Sequence, residues 1–184
     1  DLVSVIRLFS ANMQTMEAMD ADASLMRRVG LKLLHVLNRN TLGGSRRNIS
    51  AHYDLGNDFF RLFLDDNMMY SSAVFPHRGA SLEEASRHKL DLLCRQLRLK
   101  PEDHLLEIGT GWGGMALHAA REYGCRVTTT TISREQYECA RQRVKEAGLE
   151  DRITVLCDDY RDLTGTYDKL VSIEMIEAVG HEFY

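Results

Sequence analysis

A short apolar run meets a cluster of glycines at residues 105–114, which read Leu105-Leu106-Glu107-Ile108-Gly109-Thr110-Gly111-Trp112-Gly113-Gly114. The apolar residues predict a buried parallel strand, and the pattern after the glycines predicts a helix. Glycines suit the turn between them, because a Cβ would block the approach of a ligand and would penalise a positive φ. The start of the helix adds free N–H groups and a partial positive charge. The stretch therefore predicts a strand, a tight turn and a helix that together hold a nucleotide-like ligand.

The spacing of these glycines fits two classes of ligand. One set matches the G-x-G-x-x-G pattern of dinucleotide-binding folds: Gly109, Gly111 and Gly114. A second set matches the E-x-G-x-G-x-G pattern of S-adenosylmethionine (SAM) methyltransferases: Glu107, Gly109, Gly111 and Gly113. A glycine match alone is a weak signal, so the choice depends on residues elsewhere in the chain.

The next predicted strand separates the two classes. A nicotinamide-binding fold places Asp or Glu at the end of that strand, ~20 residues on, to hold the ribose. Residues 127–134 read VTTTTISR and contain no carboxylate, which favours SAM. Arg134 would suit a 2′-phosphate, so an NADP-dependent oxidoreductase stays open as the alternative. A glycine-rich turn without a ligand is the remaining interpretation.

Composition and charge exclude several classes of protein. The chain has 184 residues, 44% of them hydrophobic, and a net charge of -4, which predicts a soluble globular protein and no nucleic-acid partner. The four cysteines are scattered and form no C-x-x-C pair, which predicts reduced thiols in a cytoplasmic protein and no metal site. No apolar run approaches the ~20 residues that span a bilayer, and no signal peptide opens the chain.

Residues 1–45 predict an N-terminal helical segment followed by a linker. Between Ser24 and Arg47 there are six Arg or Lys residues and no acid, and the helix predicted within this stretch has an apolar face. A basic amphipathic helix can lie on an anionic membrane surface, but a charged face on a packed helix explains the pattern equally well. A non-catalytic membrane-binding module is therefore a third hypothesis.

Residues 46–80 predict a helical lid or substrate segment. Asn57 or Asp58 is expected to cap a short helix with an apolar face, formed by Phe59, Phe60, Phe63 and Leu64. Aromatic residues at helical spacing are typical of a core, and the wall of an acyl-chain pocket is the alternative.

From residue 81 onward, strands and helices alternate, with Ser81 and Ser133 as predicted helix caps. The predicted elements are a helix to about Leu99, a strand at 104–109, a helix at 113–123, a strand at 125–132, a helix to Ala147, and strands at Ile153–Leu156 and Leu170–Ile173. This order predicts an α/β fold with a doubly wound parallel sheet, in which ligands bind at the carboxyl ends of the strands. Residues 81–184 would form the N-terminal half of a Rossmann-like SAM-binding domain, truncated after about four strands.

Polar side chains are predicted to converge at that edge of the sheet. They are Glu107, Thr131, Asp158, Asp159, Glu174 and Glu177. At ~5 Å and an effective dielectric constant of ~20, one carboxylate attracts a cation by about 3 kcal/mol before desolvation. Such an edge suits a cationic methyl donor better than an anionic pyrophosphate. The alternatives are an exposed turn for the aspartates and a helix cap for one of the glutamates.

Five stretches of the chain carry a specific combination of motifs. They are Asn48–Phe60, Met69–Ser71, Glu107–Gly113, Thr131–Gln136 and Ser172–His181. In this order they resemble the cyclopropane fatty acid synthases and mycolic acid cyclopropane synthases, a family of SAM-dependent methyltransferases. The likeness runs from about Arg46 to the last residue, and so many motifs in one order are much more specific than the glycines alone.

The resemblance implies a class I SAM methyltransferase fold and a set of residues that contact SAM: Tyr70, Ser71, Glu107, Gly109, Gly111, Gly113, Thr131, Gln136 and Asp158. It also implies a bicarbonate ion that serves as general base, held by Glu177 and the backbone of Ile173. After Tyr70 and Ser71 the family usually has Cys, whereas this chain has Ser72. We therefore place Ser72 in the catalytic set with Glu177 and Ile173.

In such enzymes the cis double bond of a lipid acyl chain attacks the methyl group, and the resulting carbocation loses a proton and closes a cyclopropane ring. The resemblance thus implies phospholipid acyl chains as partners and a cytoplasmic protein peripheral to the inner face of the membrane. Ser72 leaves open a relative whose product is a methyl or methylene branch. A homodimer also stays open. Because members of the fold use seven strands, we expect the chain to be part of a longer protein.

Overall fold

The computed structural model describes residues 57–175 and, near the amino terminus, residues 3, 4, 6–8 and 10–13, which are helical. The chain divides into two compact units, Asp1–Arg39 and Asn40–Tyr184. The predicted basic helix, the linker, the motif at residues 48–56 and the catalytic candidate Glu177 lie outside the described residues. The domain limits at residues 45 and 80 stay a prediction.

Four parallel strands form the sheet within residues 57–175. They are β1 (His104–Ile108), β2 (Arg126–Thr130), β3 (Ile153–Leu156) and β4 (Lys169–Ser172), in the spatial order β3-β2-β1-β4. In register, Ile108 of β1 lies beside Thr130 of β2 and Ser172 of β4, so the carboxyl ends of the central strands meet at one edge. The predicted parallel α/β architecture is confirmed.

Helices connect the strands and cover the sheet. They are α1 (Asn57–Arg61), α2 (Leu82–Leu97), α3 (Gly114–Tyr123) and α4 (Arg134–Glu146), with a 3-10 turn at Tyr160–Asp162. The two predicted serine caps are confirmed. The Ser81 hydroxyl accepts the Glu84 N–H at 3.1 Å, and the Ser133 hydroxyl accepts the Gln136 N–H at 3.3 Å. Each bond satisfies a backbone donor that the first helical turn leaves unpaired.

The main core lies between the sheet and helices α2, α3 and α4. Its fully buried large side chains include Leu90, Leu105, Met115 and Val127, one from each of α2, β1, α3 and β2. Burial of one such side chain stabilises the fold by about 1.5–3 kcal/mol. The core therefore fixes β1 and β2, whose carboxyl ends carry the glycine turn.

Several predicted boundaries differ from the observed ones by one or two residues. Helix α2 ends at Leu97 rather than Leu99, because Arg98 adopts the left-handed conformation (φ 53) and its N–H donates to the carbonyls of Cys94 and Arg95. Strand β2 ends at Thr130 rather than residue 132, since the Thr131 hydroxyl instead accepts the Ser133 N–H at 3.1 Å in the turn before α4. Strand β4 is shifted one residue toward the amino terminus.

The apolar face predicted for α1 is only partly buried. Phe60 is 3% exposed and packs with Met68 and Trp112, whereas Phe59 and Phe63 are 44% and 49% exposed. Asn57 does not cap this helix: it is the first helical residue, and its side-chain carbonyl accepts a hydrogen bond from Trp112. All four cysteines are free thiols. No helix in the described part of the chain is long and apolar enough to cross a bilayer.

Candidate functional site

The turn after β1 requires glycine at several positions, and the structural reason differs from one position to the next. Gly109, Gly111 and Gly113 have φ values of 96°, 52° and 86°, which L side chains rarely adopt. No described atom lies within 4 Å of the position that a Cβ on Gly111 would take, so this part of the turn is open. A Cβ on Gly113 would lie 3.3 Å from the Cβ of Ala140, so Gly113 lets α4 approach closely.

Gly114 serves internal packing rather than a ligand. A Cβ there would overlap the sulfur of Met69 and would lie 3.1 Å from the carbonyl oxygen of Asn67. The third glycine of the dinucleotide pattern is therefore explained by the segment that packs on the start of α3. The open glycine, Gly111, belongs to both patterns.

The turn is anchored on the neighbouring strand. The N–H groups of Gly109 and Thr110 both donate to the carbonyl of Thr130, at 3.0 and 3.1 Å. The Thr130 hydroxyl donates to the carbonyl of Asp158 at 2.5 Å. These bonds join the ends of β1 and β2 to the loop after β3. The carboxyl ends of these three strands therefore lie at one edge of the sheet. The side chain of Asp158 is exposed at this edge.

Glu107 is a buried carboxyl group that lacks a full set of partners. Its side chain is 3% exposed, and its Oε2 has no hydrogen-bond partner in the described part of the chain. Burial raises the pKa of Glu107 to about 8, and a hydrogen bond from Thr129 lowers it only in part. Thr110 lies 2.7 Å from the Thr129 hydroxyl and donates to it when Thr129 donates to Glu107. Glu107 lies on β1, two residues before the glycine turn, so a buried polar atom without a partner lies in the strand that leads into the turn.

Thr131 and Gln136, both predicted to contact SAM, lie together at the start of α4. They are 7% and 5% exposed, and the Thr131 hydroxyl donates to the Gln136 carbonyl at 2.9 Å. The pair holds the turn between β2 and α4. Asp159, predicted to face the same edge, is instead buried, and its carboxylate accepts hydrogen bonds from the backbone and guanidinium of Arg161. The interpretation of Asp159 as a residue of an exposed turn is therefore also wrong.

An aromatic cluster lies against the glycine turn. Trp112, from the turn itself, donates its indole N–H to the Asn57 side chain at 2.6 Å, and its ring centroid lies 4.9 Å from that of Phe60. Tyr70 packs edge-on against Phe60 at 5.4 Å and is 49% exposed. The cluster brings Tyr70, a predicted SAM contact, beside the turn.

Arg143 fastens the segment before Tyr70 to the glycine turn, a role that the sequence did not indicate. Its guanidinium donates to the carbonyls of Asn67 and Trp112, at 2.9 and 2.8 Å, and to that of Asp66 at 3.2 Å. Burial lowers the pKa of Arg143. An arginine on an otherwise polar helix predicts a solvated side chain, so only the tertiary contacts reveal this clamp.

A second polar network joins residues 71 and 72 to α2 and to the end of β4. The Lys89 ammonium donates to the Ser71 hydroxyl at 2.5 Å, and Lys89 is only 7% exposed. The Ser72 N–H donates to the Glu174 carboxylate at 3.0 Å, and the Ser72 hydroxyl donates to the same group. Burial lowers the pKa of Lys89, an effect that the nearby Glu174 charge opposes. Ile173, a catalytic candidate, directly follows β4 and packs against the core.

A cleft of about 410 Å³ lies elsewhere, between α2, α3 and α4. Charged side chains of both signs line it, including Arg87, Arg121, Arg143 and Glu146. It contains none of the residues predicted to contact SAM or to act in catalysis, although Gly114 of the dinucleotide pattern lines it. The candidate site is instead the open edge of the sheet, where the glycine turn, the aromatic cluster and the network at Ser72 meet.

Comparison with known proteins places this geometry in a family. The chain is 50% identical over 135 residues to a probable fatty acid methyltransferase of Pseudomonas putida, which covers 72% of this chain and 34% of that protein. It is 44% identical over 133 residues to the cyclopropane-fatty-acyl-phospholipid synthase of Escherichia coli K12, again covering 72% and 34%. The chain thus spans about a third of the length of these relatives.

Solved structures agree with the sequence comparison. The mycolic acid cyclopropane synthase CmaA1 was crystallised with S-adenosylhomocysteine (SAH) and CTAB. It matches this chain with a TM-score of 0.72 and 37% identity, over 74% of this chain and 48% of that one. The fold is therefore that of the class I SAM methyltransferases, as the motifs predicted. A family model described as mycolic acid cyclopropane synthetase matches residues 41–184, and the chain belongs to this family.

Proposed function

We propose that the protein transfers a methyl group from SAM to the cis double bond of a lipid acyl chain. The observation that carries the proposal is the open glycine turn at Gly111 beside the orphaned, buried carboxyl of Glu107. In a family whose relatives are named as fatty acid methyltransferases and cyclopropane synthases, a nucleoside cofactor is the ligand that this turn suits. SAM, when bound, supplies an electrophilic methyl group on a sulfonium.

The residues present fit such a ligand. The backbone of the turn can approach it because the position over Gly111 is open. Thr131 and Gln136 fix the start of α4, where the helix N-terminus lies. We infer that Tyr70, Ser71 and Asp158 are further contacts. Tyr70 packs near Trp112 of the turn, and Asp158 is exposed in the loop after β3. The NADP alternative is not favoured, because packing against Met69 accounts for Gly114 without a pyrophosphate.

Exposed apolar side chains support a lipid partner. Between residues 59 and 75, large hydrophobic groups are exposed by 42% to 81%: Phe59, Leu62, Phe63, Tyr70, Val74 and Phe75. Exposed apolar side chains on the segment that carries Tyr70 suit an acyl chain as the partner. We infer that the protein works on phospholipid acyl chains, at the cytoplasmic face of the membrane and peripheral to it.

The test is mass spectrometry of membrane lipids from cells that express the full-length protein and are fed methyl-trideuterated methionine. We expect acyl chains that gain one carbon. That carbon carries two deuterium atoms if a ring or a methylene branch forms, because each removes one hydrogen from the transferred methyl, and three if a methyl branch forms. The control is the Gly111→Val variant, which should give no labelled lipid. Lipids without label in cells that contain folded wild-type protein would refute the proposal.

A further inference from the structure

Lys89 on α2 carries an inference that rests on the proposed function and specifies how the cofactor is held. Within the part of the chain that the structure describes, it is the one buried Lys or Arg, at 7% exposed. Its ammonium donates to the Ser71 hydroxyl at 2.5 Å, and no described carboxylate forms an ion pair with it. Buried charges in proteins are normally paired. An ammonium with two further protons to donate therefore lacks its anion among the described residues.

Two carboxylates lie near Lys89 but are bound by other donors. Glu174 accepts the Ser72 N–H at 3.0 Å, and Asp65 accepts the Met69 N–H at 3.0 Å. Burial lowers the pKa of Lys89, and the charges of these two carboxylates oppose that effect. They favour the charged ammonium without forming an ion pair with it.

The contact with Lys89 also decides the role of the Ser71 hydroxyl. An ammonium has protons to donate and no lone pair, so the Ser71 oxygen accepts. The hydroxyl proton is left to donate elsewhere, and none of the described residues accepts it. Lys89 and Ser71 together present a positive charge and a hydroxyl donor, a combination that suits a carboxylate.

Ser71 lies close to the glycine turn. Tyr70, the residue before it, packs near Trp112 of the turn, with ring centroids 6.5 Å apart. Ser72, the residue after it, is bonded to Glu174, which follows β4. Strand β4 pairs with β1, the strand that leads into the turn. The segment that Lys89 holds is thus fixed on both sides of Ser71, beside the turn proposed to bind SAM.

The charges of SAM select the part of the cofactor that would meet this pair. Its sulfonium and its ammonium are positive and its adenosine is neutral, so the carboxylate is its anionic group. We propose that Lys89 is a positioning residue for the cofactor: it directs the Ser71 hydroxyl proton to the SAM carboxylate and attracts that carboxylate by its charge. The resemblance implies a contact between Ser71 and SAM but gives no role to Lys89.

The experiment compares two ligands on the full-length protein by calorimetry, SAH and decarboxylated SAH, which differ in the carboxylate alone. Lys89→Met removes the charge and keeps a long, unbranched side chain, and Ser71→Ala removes the hydroxyl. The matched control is Lys100→Met, an exposed lysine in the loop before β1, at the opposite edge of the sheet. Thermal unfolding shows which variants are folded, and KM for SAM and kcat are measured with lipid.

We expect the wild type and Lys100→Met to prefer SAH over decarboxylated SAH by about 10- to 100-fold, the range of a charge-assisted hydrogen bond. Lys89→Met should reduce this preference by about 10-fold or more, and Ser71→Ala should reduce it in the same direction. Both variants should bind decarboxylated SAH as the wild type does. Because methyl transfer leaves the carboxylate unchanged, KM for SAM should rise while kcat stays the same.

A purely structural role for Lys89 predicts a different result, in which Lys89→Met weakens both ligands equally. That result, an unchanged preference for SAH in Lys89→Met, or a wild type without such a preference would each overturn the proposal. If Lys89→Met does not fold, Ser71→Ala decides by the same criteria. SAH binding without labelled lipid would refute the lipid substrate and leave the carboxylate site standing. A folded wild type that does not bind SAH would overturn both.

Discussion

At the scale of single residues, glycine is required in the turn for two reasons: the backbone has positive φ, and the proposed ligand site needs open space. Positive φ at Gly109, Gly111 and Gly113 is a property of the turn, and sequence spacing alone predicted it. The sequence did not distinguish the open position at Gly111 from the packed one at Gly114. That distinction depends on Met69, which reaches the turn from a distant part of the chain.

The buried carboxyl of Glu107 predicts a pH-dependent stability. Its pKa is about 8 in the folded chain against an ordinary value of 4.5, so between these values the folded chain holds a proton that the unfolded chain has lost. The contribution of Glu107 to the free energy of unfolding therefore falls as pH rises through this window, by up to about 1.4 kcal/mol per pH unit. Outside the window this contribution is constant. Glu107→Gln should remove this dependence.

Chemical denaturation of the wild type and Glu107→Gln across the pH range checks the prediction. The stability of Glu107→Gln relative to wild type should increase from about pH 5 to about pH 8, whereas Glu150→Gln, at an exposed position, should track the wild type throughout. A difference between wild type and Glu107→Gln that does not change with pH would contradict the burial argument.

At the scale of elements, Arg143 joins α4, the segment before Tyr70 and the glycine turn. Replacing it by Met removes the donor for three carbonyl groups, those of Asp66, Asn67 and Trp112. An unsatisfied buried polar group costs about 1–3 kcal/mol. We expect Arg143→Met to lower the free energy of unfolding by at least that much and to weaken SAH binding, because the turn loses its clamp.

The matched control is Arg141→Met on the same helix. Arg141 is exposed and contacts only Tyr137 among the described residues, so its loss should change stability by no more than about 0.5 kcal/mol. Urea denaturation of both variants measures the difference. Equal free energies of unfolding for the two variants would show that the hydrogen bonds of Arg143 do not stabilise the fold.

Sequence patterns predicted where the helices and strands from α2 onward begin and end to within two residues, because hydrophobic periodicity and serine caps are local signals. The ends that were missed depend on tertiary or left-handed geometry, as at Arg98 and Thr131. Lys89, which is buried, and Arg143, which is half-buried, were missed for a related reason: a cation held by hydrogen bonds and a solvated one look the same in a sequence. Burial and partners are set by segments distant in the chain.

At the scale of the whole molecule, the alternation of strands and helices predicted the parallel sheet, and the order of motifs predicted the family. The segment before residue 81 was less predictable. Its aromatic residues suit a core and a lipid surface equally in sequence, and the structure divides them: Phe60 is buried, whereas Phe59 and Phe63 are exposed. The exposed ones give the molecule an apolar surface beside its proposed donor site.

The central claim is that the open glycine turn binds the cofactor of a methyltransferase. Isothermal titration calorimetry of the full-length protein with SAH tests it most directly, with Gly111→Val as the variant whose Cβ fills the open position and Glu150→Gln as the control. We expect a saturable heat at one site for the wild type and the control, and a strongly weakened one for Gly111→Val. Absence of heat from folded wild-type protein at millimolar SAH would contradict the account.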